Sequence, residues 1–238
     1  MLTKKIAITQ SNFIPWKGYF DTIALMDEFV LYDDMQYTRR DWRNRNLIKT
    51  PQGLKWLTIP VEVKGKYYQR IRDTKINDKN WAKEHLKTIQ FNYARAKCFK
   101  DVFPFLEELY IQAEKFEYLF EINFLFLQKI SNYMNISTPI KFCWDYPYKN
   151  QDKNERLIEI CQLSGATDYY SGPAAKDYMD VELFQKNNIQ VHWLDYNGYP
   201  DYPQLYPPFE HGVSIIDLLL NTGKEAPKYL KHTHYAKT

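Results

Sequence analysis

The chain has 238 residues, of which 45% are hydrophobic and 26% are charged, and its formal net charge is +3. This is the composition of an ordinary globular protein, and so small a net charge excludes a dedicated nucleic-acid-binding domain. Aromatic residues make up 17% of the chain. Tyr and Trp combine apolar area with a polar group, so a surplus of them often lines clefts and interfaces.

The cysteines and the N-terminal residues predict the compartment. Cys98, Cys143 and Cys161 are widely spaced and form no C-x-x-C pair, which favours reduced thiols. The first residues lack the apolar run of a signal peptide, and no stretch approaches the ~18 apolar residues that span a membrane. We therefore predict a cytoplasmic protein without a membrane span.

The first predicted elements are a strand, a helix and a second strand. Residues 4–9 form a short β-branched run, residues 18–26 carry an apolar stripe at helical spacing, and residues 28–32 form another apolar run. Two strands joined by a helix predict a parallel pair, and such sheets bind ligands at the carboxyl ends of their strands. Residues 10–19 and 33–36 should therefore share one edge of the sheet.

The later elements alternate in type. We predict a strand at 54–63, an extended piece at 67–76, a helix at 80–96 and a long helical stretch at 102–133, for which an interruption is left open. After these we predict strands at 139–144, 167–170 and 189–194. The helices of this second part are predicted at 154–164, ended by Gly165, at 174–186, and at 215–221, stopped by Gly223. Together they predict a single α/β domain over residues 1–238, with a helical insertion at about 78–135. The aromatic helical stretch fits either a homodimer surface or a larger core.

The loop after the first strand contains the first predicted binding residues. Backbone N–H groups and the helix dipole at the start of the first helix favour an anion, and Gly18 lets a phosphate come close. The layout S-N-F-x-P-x-x-G-Y is similar to the nucleotidyltransferase loop that ends in H-x-G-H, although Trp16 and Tyr19 replace both histidines. The predicted fold is a parallel-sheet, nucleotidyltransferase-like (Rossmann-like) core with a helical insertion. The predicted ligand-binding residues are Gln10, Trp16, Gly18 and Tyr19, and the alternative is a merely structural turn.

A basic and aromatic segment follows the second strand. Four arginines and a lysine fall within eleven residues, and arginine binds phosphates bidentately and stacks on rings. Such runs are usually solvated loops, but this one leaves the same edge of the sheet, which favours a small phosphorylated ligand over nucleic acid. No metal-ligand cluster is present, although Asp33 and Asp34 could hold Mg²⁺ beside a phosphate. The predicted ligand contacts are Asp34, Gln36, Tyr37, Arg39, Arg43, Asn44 and Arg45.

A late strand ends in Ser171 and Gly172, and Pro173 suits a first helical turn. This predicts a second helix N-terminus at the same edge, with Ser171, Gly172 and Lys176 touching a phosphorylated ligand. An ordinary capped helix start is the alternative.

Histidine supplies the candidate bases. His85 shares a helical face with Trp81 and Ile89, which also suits a half-buried packing residue. His192 is predicted as a core position, His211 lies in an extended loop, and His232 and His234 fall in a tail predicted to fray. Any of them could serve as a base, and we prefer His85.

Several stretches carry a family resemblance. They begin with QSNFIPWKGYFDTIALMDEFVLYDDMQYTRRDWRNRNLIKTPQGLKWLTIPV and continue with NWAKEHLKTIQFNYARAKCF, GATDYYSGPAAKDYM and YPQLYPPFEHGVSIIDLLLNTG. On these residues the chain is identified as a member of the WbqC-like family of bacterial O-antigen gene clusters. It departs from the family at Thr9, where relatives tend to carry histidine.

The resemblance implies a setting in surface-polysaccharide and lipopolysaccharide synthesis. It implies a transferase that acts on a nucleotide-diphosphate-linked amino sugar, by N-acylation or N-aminoacylation of the sugar amine. For this reaction we expect His85 or Asp33 as base, and Asn12 with the amides near Gly18 as oxyanion donors. The donor would be an acyl or aminoacyl compound. The alternatives are a ligase or nucleotidyltransferase that uses ATP and Mg²⁺, and a non-enzymatic binding protein of the same pathway.

Overall fold

A parallel sheet of five strands forms the centre of the protein, whose computed structural model describes residues 3–233. In chain order the strands of the protein are β1 (Lys5–Thr9), β2 (Glu28–Leu31), β3 (Arg45–Thr50), β4 (Gly53–Thr58), β5 (Ile140–Phe142), β6 (Asp168–Ser171) and β7 (Gln190–Trp193). The sheet has the order β5-β2-β1-β6-β7 and all of its pairings are parallel, whereas β3 and β4 form a separate antiparallel hairpin. The predicted α/β class is confirmed.

Helices cover both faces of this sheet. They are α1 (Lys17–Leu25), α2 (Trp81–Tyr93), α3 (Phe99–Ala113), α4 (Leu119–Tyr133), α5 (Lys153–Ser164), α6 (Val181–Lys186) and α7 (Ile215–Thr222). None of the helices within residues 3–233 is long and apolar enough to cross a membrane.

The alternation of side chains along the strands creates two hydrophobic cores. Ala7 and Phe29 face a core that α1, α2, α3, α4 and α7 complete, whereas Ile6, Ile8 and Val30 face a second core formed with α5 and α6. Successive residues of a strand point to opposite faces of a sheet. The result is a sheet between two helical layers, in which α2, α3 and α4 occupy the stretch predicted as a helical insertion.

The direction of winding reverses between β1 and β6. From β1 the chain passes through α1 to β2 on one side, and it later returns to place β6 on the other side of β1. Counting only the strands of the sheet, the order is 3-2-1-4-5, as in the first five strands of doubly wound folds. Ligands of such folds bind where the winding reverses.

The structure adds detail at three stretches. No strand was predicted within residues 33–53, but β3 pairs with β4 around a turn at Pro51 and Gln52, with Gly53 at φ 105°. The extended piece at 67–76 contains a short 3-10 helix, Ile71–Asp73, and its backbone pairs with neighbouring segments only at isolated bridges. The stretch 102–133 is two helices, since the backbone at Tyr118 leaves the helical course to bridge to Lys75.

Candidate functional site

A cleft of about 360 Å³ lies at the carboxyl ends of β1 and β6. We call it the switch-point cleft, because it sits where the winding of the sheet reverses. Open α/β sheets bind their ligands at this position. Its walls come from the segments that follow β1, β2, β6 and β7, among them Thr9, Gln10, Tyr32, Ser171, Gly172 and Tyr196.

Tyrosines dominate the lining of the switch-point cleft. Burial raises the pKa of Tyr32 to about 12 and the pKa of Tyr19 well above its usual value, so both hydroxyls stay protonated at neutral pH. The Lys153 ammonium also lines the cleft and lies 5.0 Å from the ring of Tyr178. Among the described lining residues there is no carboxylate and no histidine. The cleft therefore suits a ligand with an aromatic ring and an anionic group.

Arg43 lies over the loop that follows β1. Its guanidinium donates to Asn12 Oδ1 and, over 3.3 Å, to Gln10 Oε1. Asn123 Nδ2 donates to the Arg43 carbonyl over 3.0 Å and to Ser11 Oγ over 2.9 Å. These bonds fix the guanidinium beside Gln10, which itself lines the cleft, and Asp41 Oδ2 lies 3.7 Å from its Nη2.

Asp33 is a fully buried carboxyl next to this loop. Its Oδ1 accepts the backbone N–H of Ser11 over 2.8 Å, whereas its Oδ2 has no hydrogen-bond partner among the described residues. Burial raises the pKa of Asp33 to about 6, against the opposing effects of the Ser11 hydrogen bonds and the Arg43 charge. A buried carboxyl with a shifted pKa marks a candidate functional position, although Asp33 does not itself line the cleft.

Asp34 pairs with arginines outside the predicted basic segment. Its Oδ1 lies 2.9 Å from Arg72 Nη1 and 3.4 Å from Arg70 Nη1. The Tyr148 hydroxyl donates to its Oδ2. Across residues 3–233 no group of three or more His, Cys, Asp or Glu side chains converges as a metal site would require. Asp34 therefore anchors the segment at 70–72.

The other predicted residues of the basic segment bond within it or to the neighbouring chain. Gln36 and Arg39 donate to the carbonyls of Tyr67 and Val63, both over 2.8 Å. Asn44 donates to Ile59 O over 2.8 Å, the Arg45 guanidinium lies 3.9 Å from the Trp56 ring, and Tyr37 is buried. Of the predicted arginines, Arg43 is the one that the structure bonds to the loop after β1.

The start of α1 differs from the prediction. Gly18 was expected to admit a phosphate, but the Trp16 indole covers it: a Cβ added there would lie 2.3 Å from Trp16 Cζ2. The Tyr19 amide donates to Trp16 O over 3.0 Å. The open helix N-terminus that the sequence predicted is therefore occupied by an aromatic side chain of the protein itself.

The segment after β6 also differs in part. Ser171 and Gly172 line the switch-point cleft, as their position predicts. They are followed by a 3-10 turn, Pro173–Asp177, instead of the start of an α-helix. Lys176 is exposed, with its Nζ 5.6 Å from the Trp193 ring.

The preferred base, His85, lies in the core. Its ring packs against Phe13, Trp81 and Tyr110, and its Nε2 lies 3.1 Å from Thr58 O. Burial lowers its pKa to about 4, so the imidazole is neutral at pH 7. These contacts are those of a packing residue, which was the alternative offered by the sequence.

Two other histidines lie elsewhere than predicted. His192 was expected in the core, but it is partly exposed, and its Nε2 lies 2.7 Å from Asp168 Oδ1. His232 was expected in a fraying tail, yet its backbone N–H donates to Asp21 Oδ1 over 2.7 Å and its ring Nδ1 lies 2.8 Å from Asp21 Oδ2. A buried carboxylate on α1 therefore holds His232. The remaining tail histidine, His234, lies outside the described residues.

Sequence reasoning missed Lys153, Tyr32 and Tyr196 as lining residues of the cleft. Tyr32 and Tyr196 follow β2 and β7, and Lys153 begins α5, so the three residues lie far apart in the chain. The sequence signal that could have found Tyr32 is its place at the carboxyl end of β2, beside the predicted Asp33.

The protein is of the α/β class, and its cleft lies where the winding of a parallel sheet reverses, which is the position at which such sheets bind ligands. The chain belongs to the WbqC-like protein family, whose model matches residues 10–229. It is 51% identical over 229 residues, covering 96% of this chain and 98% of the relative, to the Uncharacterized protein Rv1507c of Mycobacterium tuberculosis. No solved structure matches the chain. The resemblance read from the sequence is thus confirmed at the level of the family.

Proposed function

We propose that this WbqC-like protein is a cytoplasmic transferase of O-antigen synthesis that acylates or aminoacylates the amine of a nucleotide-diphosphate-linked sugar. The observation that carries the proposal is the switch-point cleft, with the Arg43 guanidinium fixed beside Gln10 at its edge. The strand order supports a nucleotidyltransferase-like (Rossmann-like) core as part of the proposal.

The nucleotide is assigned to the switch-point cleft. Tyrosine rings can stack on its base, a contact worth roughly 1–3 kcal/mol in nucleic-acid-binding proteins. The Lys153 ammonium and the Arg43 guanidinium supply the positive charge that a diphosphate requires. Ser171 and Gly172 lie on the wall formed after β6, within reach of the same ligand.

The reaction joins the sugar nitrogen to the carbonyl carbon of an acyl or aminoacyl donor. The ammonium loses one proton before it attacks and a second after the new C–N bond has formed. The C–S or C–O bond of the donor breaks, the leaving group takes up one of these protons, and the other passes to solvent. The protein then needs to place the amine against the carbonyl and to stabilise the oxyanion, and we assign the second task to the Asn12 amide. We assign Asp33, which is fully buried, the task of positioning Ser11 and Arg43, and we leave His85 out because it packs in the core.

A thermal-shift screen of the purified protein tests the proposal. The ligands are nucleotide-diphosphate amino sugars, free nucleotides, acyl-CoA compounds and ATP with Mg²⁺. A ligand at ~100 times its dissociation constant should stabilise the fold by ~2.7 kcal/mol, or roughly 5–10 °C. We expect this shift with a nucleotide-linked amino sugar, and we expect Arg43→Ala to abolish it.

Arg95→Ala is the matched control, because Arg95 is an exposed arginine at the end of α2. The control should keep the full shift. A shift with ATP and Mg²⁺ alone would replace the proposal with the ligase or nucleotidyltransferase alternative. No shift with any nucleotide would favour a binding protein without this substrate.

A further inference from the structure

A second pocket, of about 340 Å³, lies on the other side of the loop 10–17. We call it the tryptophan pocket, because Trp16 and Trp42 form its aromatic walls, together with Asn12, Asn46, His211 and Gly212. None of its described lining residues is a lysine, arginine or carboxylate. Such a pocket suits an uncharged ring with apolar faces and hydroxyl groups better than it suits a phosphate.

The two pockets share a wall. The Trp16 ring lines the tryptophan pocket and lies 5.5 Å from the ring of Tyr196, which lines the switch-point cleft. The Arg43 guanidinium bonds Gln10 on the cleft side and Asn12 on the pocket side. One elongated ligand can therefore reach both sites, with its diphosphate near Arg43.

His211 is the titratable group of the tryptophan pocket. Its Nε2 lies 3.2 Å from Asp201 Oδ1, so a carboxylate is next to one ring nitrogen and Nδ1 is the other nitrogen of the ring. The Phe209 ring supports the imidazole edge-on at 4.6 Å. An imidazole on the wall of a pocket, packed against a ring and next to a carboxylate, can serve as a general base.

We propose that the tryptophan pocket binds the sugar ring of the substrate and that His211 Nδ1 takes the proton from the sugar ammonium. The inference rests on the proposed function and deepens it. The nitrogen lone pair freed in this step attacks the donor carbonyl, the C–N bond forms, and the donor's C–S or C–O bond breaks. The proton held on His211 then passes to the departing thiolate or alkoxide, so the imidazole returns to its starting state, and the nitrogen releases its second proton to solvent to give the neutral amide.

Calorimetric titration of two series of three ligands tests the assignment. The wild-type protein is titrated with UDP, UDP-glucose and UDP-glucosamine, and with the corresponding thymidine compounds. We expect the sugar ring to tighten binding about tenfold over the nucleoside diphosphate, and the amine to tighten it a further few-fold. A stacking contact of the usual strength, about 1.4 kcal/mol, corresponds to this tenfold change.

Two variants separate the ring from the amine. Trp42→Ala should lose the tenfold gain from the sugar ring, and Tyr68→Ala, which removes a ring that is 83% exposed, should keep it. His211→Gln should lose the preference for UDP-glucosamine over UDP-glucose. The control His192→Gln changes a histidine that also pairs with an aspartate, Asp168, outside the pocket, and it should keep the preference.

The outcomes distinguish the inference from the proposed function. The wild type could bind the nucleoside diphosphates and gain affinity from both the sugar ring and the amine. If Trp42→Ala and His211→Gln keep these gains, the inference is overturned and the proposed function stands. The absence of both gains in the wild type would do the same. If no member of either series binds, the proposed function fails and the inference fails with it.

Discussion

Asp33 shows how a single residue near the site sets a pH dependence. The pKa of its carboxyl is 3.8 in the reference state and about 6 in the folded protein. Between these pH values the folded state keeps a proton that the unfolded chain has lost, so this group makes the fold less stable as pH rises from about 4 to about 6. Above pH 6 the buried carboxylate costs on the order of 3 kcal/mol.

We expect Asp33→Asn to remove this cost. The asparagine keeps an oxygen for the Ser11 N–H and carries no charge, so the variant should unfold at higher urea concentration than the wild type at pH 7.5. Near pH 4.5, where Asp33 is still protonated in the fold, the difference should be much smaller than at pH 7.5. Urea titrations at both pH values measure the difference, and Asp73→Asn, in an exposed ion pair, serves as control. An equal effect at both pH values would contradict the assignment.

The sequence could predict which residues of the first fifty meet, but not how each one is used. The structure brings together four polar residues from the segments that follow two adjacent parallel strands, β1 and β2. They are Gln10, Asn12, Asp33 and Arg43. His211 meets Asp201 through a segment without regular structure, to which no periodicity applies. Burial of His85 was one of two predictions that its helical spacing allowed.

At the scale of elements, the turn into α1 depends on the absence of a side chain at one position. The Trp16 ring occupies the space beside Gly18 that a Cβ would fill. Trp16 also packs against Tyr196 and Tyr199 at 5.5 Å each. The ring therefore ties the start of α1 to the segment that follows β7.

Gly18→Ala should displace the Trp16 ring. A clash at 2.3 Å cannot be relieved without moving the indole, and overpacking of this kind costs typically 1–3 kcal/mol. Thermal unfolding should show a lower midpoint, and tryptophan fluorescence should report the moved ring. Gly172→Ala is the control, since its Cβ would meet only the Tyr196 hydroxyl at 3.7 Å. Equal midpoints for Gly18→Ala and the wild type would refute this account.

Elements with strong periodicity could be predicted, whereas the hairpin could not. The predicted helices at 18–26, 80–96, 154–164 and 215–221 match α1, α2, α5 and α7 to within a few residues. Strand β3 contains Arg45, Asn46 and Lys49, which are residues typical of loops. Asn46 Nδ2 donates to two carbonyls of the loop 10–17, both over 3.0 Å, so tertiary contacts and not strand propensity hold β3 in place.

At the scale of the whole molecule, a buried carboxylate on α1 holds the last described residues. Asp21 accepts the backbone N–H groups of Lys231 and His232 over 2.8 and 2.7 Å. It also accepts the Tyr199 hydroxyl over 2.7 Å. Contacts between segments so distant in sequence leave no local signal, which is why the sequence predicted a fraying tail instead.

Asp21→Asn should destabilise the whole fold. Its amide group would face donors where a carboxylate oxygen now accepts, and hydrogen bonds to a charged group contribute about 1.5–3 kcal/mol each. We expect a loss of about 2–3 kcal/mol in the free energy of unfolding, measured by urea denaturation. Asp168→Asn, at the partly exposed pair with His192, should lose less than about 1 kcal/mol. A smaller loss at Asp21 than at Asp168 would be evidence against this anchor.

The loop between the two pockets is held by hydrogen bonds from residues about 200 positions later in the chain. Ser214 Oγ donates to Ile14 O over 2.8 Å across 200 residues of sequence, and the Ile215 N–H donates to Pro15 O over 2.9 Å. A ribosome makes this loop about 200 residues before it makes the residues that hold it. The growing chain can therefore form local helices early, but both pockets take their final shape only when α7 has been synthesised and has docked.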